Sequence, residues 1–123
     1  MVTLREDLPP HRCLSIVIGQ PEARAILTAW TGTAPSRPST WDLFVSTVAM
    51  LEGRLVRAVI TAVEEQRHFF ATIEVERDEQ RRVLSARPSD AIALALRAPD
   101  AEMYVAGAVM VAAGILPVSD HSN

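Results

Sequence analysis

The chain has 123 residues, 49% of them apolar and 22% charged, with a net charge of −3. That length fits one domain around one core, and the apolar share excludes an intrinsically disordered chain. An acidic balance without a basic run argues against a protein that coats nucleic acid, while leaving room for an enzyme whose local arginines grip phosphate.

The first ten residues carry charges of both signs and no apolar h-region, so no signal peptide is expected. Residues 103–116 form the longest apolar stretch, too short to span a bilayer. A cytoplasmic protein is the expectation. The 12 basic residues are all arginine. A GC-rich coding bias explains this best, although the planar guanidinium also suits phosphate and carboxylate recognition. The single cysteine, Cys13, excludes an internal disulfide and a cysteine-based zinc site, and reads as a small buried residue.

In chain order, "VTL" (2–4) reads as a strand and "REDLPPHR" as the loop to its partner, because Pro9 and Pro10 prevent a tight hairpin. "CLSIVIG" (13–19) is almost wholly apolar, predicting a strand covered on both faces. Pro21 and Glu22 open a helix whose apolar face is Ala25, Ile26, Ala29 and Trp30, stopped near Gly32. The run 33–40 is a loop. Ser39 or Thr40 caps the next helix, with Asp42 completing a capping box; Leu43, Phe44, Thr47, Val48 and Leu51 form one face and Gly53 closes it. The period then becomes two. "RLVRAVITAV", "RHFFATIEVE" and "RRVLSA" predict a three-strand meander, with Phe69, Ala71, Ile73 and Val75 on one face of the middle strand. "SDAIALALR" predicts a buried helix, "MYVA" a short strand, "AVMVAAG" a last helix ending at Gly114, and "PVSDHSN" a frayed tail. Clumped rather than alternating elements argue for an α+β fold, an antiparallel or mixed sheet with about four helices, in a single domain.

Three helices begin with a carboxylate: Glu22, Asp42 and Asp90. Each alone is most simply a favourable charge on a helix dipole. If the three starts converge, they form an oxygen-ligand set for Mg²⁺ or Mn²⁺, which activates water for phosphodiester cleavage. Arg37 and Arg87 each precede a proline and therefore end an extended segment beside a helix start. Arg87 either pairs with Asp42 or Asp90, locking two elements, or clamps phosphate together with Arg37. Ser89 reads as a cap rather than a nucleophile, because no histidine lies near it in sequence. His11, His68 and His121 lack metal-ligand spacing and read as surface residues. Trp30 and Trp41 read as core or interface anchors.

"LSIVIGQPEARAI", "PSRPSTWDL", "VITAVEEQRHFFATI" and "ARPSDAIALALR" together resemble the bifunctional nuclease domain, also known as domain of unknown function 151. The resemblance runs from about Leu14 to Leu116 and is most specific at Arg87–Ala91. It implies an α+β fold, a homo-oligomer with a dimer favoured, and nuclease activity on RNA and DNA. Its polar motif residues fall on Glu22, Arg37, Asp42, Arg87, Ser89 and Asp90. Two departures stand out. Trp41 occupies the place of the family's usual histidine, which puts in doubt any proton transfer or ligation there. The family's first N-terminal strand, ahead of "VTLRE", is also missing, which leaves a sheet edge for a neighbouring chain to cover. The expected activity is metal-assisted phosphodiester hydrolysis, with Glu22, Asp42 and Asp90 as ligands and Arg37, Arg87 and Ser89 on phosphate. The alternative is a non-catalytic binding or regulatory module using the same polar cleft for an anion or a protein partner.

Overall fold

A computed structural model describes residues 1–33 and 36–117. Residues 34–35 of the expected loop and 118–123 of the expected tail, with His121, lie outside the described residues.

The first two strands, β1 (Val2–Arg5) and β2 (Cys13–Ile16), pair antiparallel as a sheet of their own. The loop between them is closed by Arg12, which donates from its backbone and its Nε to Glu6 Oε1, both at 2.7 Å. The expectation that this strand is covered on both faces needs correction. Leu14 and Ile16 are buried, Ser15 and Val17 face solvent, and the strand stops at Ile16. A two-stranded ribbon has only one face to offer the core, and β2 is half of such a ribbon. Cys13 is half-buried and unpaired.

Helix α1 (Gln20–Thr31) follows, with a proline in its first turn and left-handed Gly32 (φ 71°) closing it. Ala25 and Ile26 are buried, but Trp30 is exposed. It lines a surface groove together with Met1, Ile18 and Leu27 instead of joining the core. Helix α2 (Thr40–Met50) carries the predicted capping box: Asp42 N–H donates to Ser39 Oγ at 3.2 Å and Ser39 N–H donates back to Asp42 Oδ2 at 2.8 Å. The predicted apolar face is displaced. Leu43, Phe44 and Leu51 are exposed, and the inward stripe is Trp41, Val45 and Val48, none of it fully buried. Gly53 closes the helix as expected, its N–H reaching back to the Val48 carbonyl at 2.9 Å, while the left-handed residue at this end is Glu52 (φ 64°).

The predicted meander is present as β3 (Arg54–Glu64), β4 (His68–Arg77) and β5 (Gln80–Ala86). Asp78 and Glu79, both at positive φ, make the two-residue turn of the second hairpin, as the primed hairpin turns require. Ala71 and Ile73 are buried on the predicted face. Helix α3 (Pro88–Ala95) crosses this sheet and leads to β6 (Glu102–Val105), which pairs parallel to β3 and makes a mixed sheet in the order β5-β4-β3-β6. Helix α4 (Gly107–Ala113) closes the described chain. Among the described residues, four helices with sheets of two and four strands make the predicted α+β fold.

The predicted burial of α3 is borne out: every residue from Ala91 to Ala95 is buried, packed on β3, β4, α1 and α2. Ile92, Leu14, Ile60 and Val109 are the largest fully enclosed side chains. Because α3 is central, whatever stands at its first turn is held by the core, and the beginnings of α1 and α2 are placed against it.

Candidate functional site

The start of α3 is set by sequence-local physics. Arg87, the residue before Pro88, is extended (φ −68°, ψ 146°), and Pro88, lacking an N–H, stands at the first helical position. This makes Arg87 the N-cap and places Ser89 inside the helix. The expectation that Ser89 caps the helix is therefore corrected: the cap has no side-chain hydrogen bond. Ser89 is buried, and lines a cleft.

With its backbone turned outward, Arg87 folds its guanidinium back over the helix start. Nε donates to Asp90 Oδ2 at 2.7 Å and Nη2 to Asp90 Oδ1 at 3.1 Å, a two-pronged pairing. Its remaining nitrogen, Nη1, donates to Glu22 Oε1 on α1 at 3.4 Å. Of the partners expected for Arg87, Asp90 is taken and Asp42 is not. Asp90 also accepts from Trp41 Nε1 on α2 at 3.0 Å. Glu22, Arg87, Asp90 and Trp41 thus form one continuous polar chain across the starts of α1, α3 and α2. The Arg87 hydrogen bonds, with help from the Trp41 N–H, hold the Asp90 carboxyl below the usual carboxylate range against a partial desolvation cost; the Asp90 pairing raises Arg87 in turn.

Trp41 answers the question raised by the absent histidine. An indole N–H is a donor only. It fixes Asp90 as an imidazole N–H can, but it cannot exchange a proton or ligate a metal. The positioning role is available to Trp41, and the acid/base role is not.

Asp42 belongs to a second network. Its Oδ2 serves the capping box, and its Oδ1 accepts from Arg97 Nε at 2.9 Å. The Ser39 N–H and hydroxyl, then Arg97, keep its carboxyl below the ordinary range. Arg97 is only 9% exposed; its other nitrogens donate to the carbonyls of Ala93 at 2.8 Å and Ala25 at 3.0 Å, and its guanidinium lies 5.9 Å from the Trp41 ring. One arginine therefore ties α1, α2 and α3 together behind the site. The signal for it in the sequence is an arginine that follows the apolar run Ala91–Leu96 and so has to find buried partners. Arg37 is exposed and joins neither network among the described residues.

The three carboxylates do not converge. Among the described residues there is no group of three or more His, Cys, Asp or Glu side chains that could hold a metal ion. Arg87 stands between Glu22 and Asp90, and Asp42 is turned toward Arg97. As arranged, the set does not fit a three-carboxylate centre.

Two clefts meet at Arg87. One, about 590 Å³, is bordered by Gly19, Glu22, Arg87 and Ser89 on one side and by Arg67, His68 and Phe70 of the β3–β4 hairpin on the other. The other, about 530 Å³, runs from Asp90 and Trp41 along Phe44 and Leu84. The first joins exposed cations, a carboxylate and a hydroxyl, a set able to receive an anion. His68 is exposed, as predicted, but it faces a cleft that also holds Glu22, which sequence proximity alone did not indicate.

The helix starts of this α+β domain are joined by an arginine–carboxylate array that opens on a cleft edged with cations. The bifunctional nuclease domain model matches residues 2–117, and the chain belongs to that family. It is also similar to two uncharacterized proteins from two strains of Mycobacterium tuberculosis, each 38% identical over 122 residues, covering 99% of this chain and 71% of theirs. No helix among the described residues is long and apolar enough to cross a membrane.

Proposed function

We propose that the domain hydrolyses phosphodiester bonds in RNA or DNA, with Arg87 at the centre of the phosphate-binding site. The observation that carries this reading is the fixed placement of Arg87. Asp90 and Glu22 orient its fork, Trp41 orients Asp90, and 63% of the arginine side chain remains open at the mouth of the cleft. A guanidinium held in this way needs little reorganisation to stabilise charge developing on a phosphate. Arg67 and Ser89 line the same cleft and can contribute donors, and Glu22, the carboxylate in its lining, can accept a proton.

The test is cleavage of single-stranded RNA and DNA by purified protein, in Mg²⁺, in Mn²⁺ and in chelator. Arg87→Ala should reduce the rate by about 10²-fold or more, and Asp90→Ala, which frees the arginine, should also reduce it. Absence of cleavage under all three conditions refutes the nuclease reading, and variants that cut as fast as wild type assign the activity to a contaminant.

A second reading, a non-catalytic module that binds an anion or a protein partner, is favoured by one feature. Glu22 and Asp90 are both occupied by Arg87, and Asp42 by Arg97. Under that reading the protein binds a short oligonucleotide or inorganic phosphate in an Arg87-dependent way and cleaves nothing.

A further inference from the structure

We propose that the two clefts meeting at Arg87 receive the two nucleosides on either side of one phosphate, each base stacked on a phenylalanine, so that the site selects unpaired strands over duplex. The inference rests on the reading of Arg87 as a phosphate-binding group and adds the class of strand it takes. Of the three phenylalanines, Phe69 packs against the core, whereas Phe70 is 48% exposed and Phe44 37% exposed. Phe70 lines one cleft beside Arg87 and Phe44 lines the other.

The backbone brings both there. The β4–β5 ladder ends at the pair Ala71 and Ala86, so the next residues, Phe70 and Arg87, are neighbours at its end. Alternation along β4 puts Phe69 on the core face with buried Ala71 and leaves Phe70 uncovered. Phe44 follows Trp41 by three residues on α2, which makes the two adjacent on the helix surface. Trp41 in turn donates to Asp90, the partner of Arg87. Two aromatic rings from two different elements therefore flank one guanidinium.

A phosphodiester carries a nucleoside on each side, and Arg87 borders both clefts, of about 590 and 530 Å³. Each is of a size that takes a small ligand. With the phosphate on the guanidinium, each neighbouring base has a phenyl ring within its cleft. Every base has a π-face, so stacking tolerates base identity and no sequence preference is expected. Attraction between an arginine and a phosphate does not distinguish paired from unpaired strands. Stacking does, because in a duplex the base faces are covered and have to be unstacked first.

Fluorescence anisotropy with short, labelled, phosphorothioate-linked strands, which resist hydrolysis, tests the proposal. Single-stranded RNA and DNA should both bind, and the same sequence as duplex at least about tenfold more weakly. Phe70→Ala and Phe44→Ala should each weaken single-strand binding about tenfold at an unchanged salt dependence. On an abasic strand of equal length, which keeps the phosphates and lacks the bases, both should bind as wild type does. Arg87→Ala should instead lower the slope of log affinity against log salt by about 0.7. Phe70→Leu and Phe44→Leu keep an apolar side chain without the ring; where an alanine variant fails to fold by circular dichroism, they decide, and should show the same loss. The inference is overturned if duplex binds as tightly as single strands, if either ring can be removed without loss on a base-bearing strand, or if the loss is as large on the abasic strand. An unchanged salt slope in Arg87→Ala overturns it together with the phosphate site. Failure of every strand to bind overturns it too, while the nuclease reading falls only if cleavage is absent as well.

Discussion

Arg97 should be worth more to stability than any exposed ion pair in this protein. Replacing it with Met keeps most of the aliphatic stem and its packing but deletes the guanidinium. Three interactions go: the bond to the half-buried Asp42 carboxylate and the bonds to the carbonyls of Ala93 and Ala25. Each hydrogen bond from a charged donor contributes about 1.5–3 kcal/mol. Asp42 keeps its capping-box partners and some solvent, so its share belongs at the low end or below. The two carbonyls lose their side-chain donor in a place with little access to water. A loss of about 3 kcal/mol is expected, equivalent to a fall in Tm of roughly 10 °C for a domain of this size. Arg97→Lys keeps one point charge in place of a fork and should fall between the two. Urea unfolding followed by tryptophan fluorescence measures the difference, because Trp41 lies beside the guanidinium. A loss below about 1 kcal/mol for Arg97→Met, at an unchanged m-value, would refute the view that this buried arginine holds the three helices in register.

Two further predictions concern Asp90 and Asp42. Trp41→Phe removes the indole donor to Asp90 at a cost of about 1 kcal/mol and moves the Asp90 carboxyl up toward its ordinary value; carboxyl NMR titration reads the shift. Trp41→His should restore the donor and with it the depressed titration, and a histidine variant that titrates like the phenylalanine one would show that the indole N–H is immaterial. Both acids titrate lower folded than unfolded, so their stabilisation is fully present above the unfolded value of about 3.9 and is lost as pH falls through the folded values. Stability should be flat above about pH 5 and fall below it, less steeply in Asp90→Asn. An Asp90→Asn variant with the wild-type acid profile would contradict the assignment.

The fold was readable where the chain decides locally. Alternation over residues 54–86 fixed the meander because each strand has one apolar face, and Ser39 with Asp42 fixed the start of α2 because a capping box needs nothing beyond four residues. Errors arose where burial depends on distant partners. Leu43, Phe44 and Trp30 have the spacing of core residues, yet among the described residues they stay exposed. The site followed the same division. That Arg87 would reach an acid was legible from the proline after it, which fixes the backbone and throws the side chain over its own helix. Which acid it would reach was not, because Asp42 and Asp90 begin helices with the same polarity.

What separates those two acids is Arg97, fifty-five positions beyond Asp42. It draws Asp42 to the back of the helix cluster, and this leaves Asp90 and Glu22 as the partners of Arg87 at the front. The two arginines therefore have different roles despite similar surroundings. Arg97, enclosed and saturated with acceptors, is structural. Arg87 is equally well oriented but open to solvent, and under the proposed function this leaves it free to meet a phosphate at the cleft mouth. Losing Arg97 should therefore release Asp42 toward Arg87. In Arg97→Met, a weakening of anion binding at the cleft should accompany the loss of stability, whereas Arg87→Ala should lose binding while keeping nearly all of its stability.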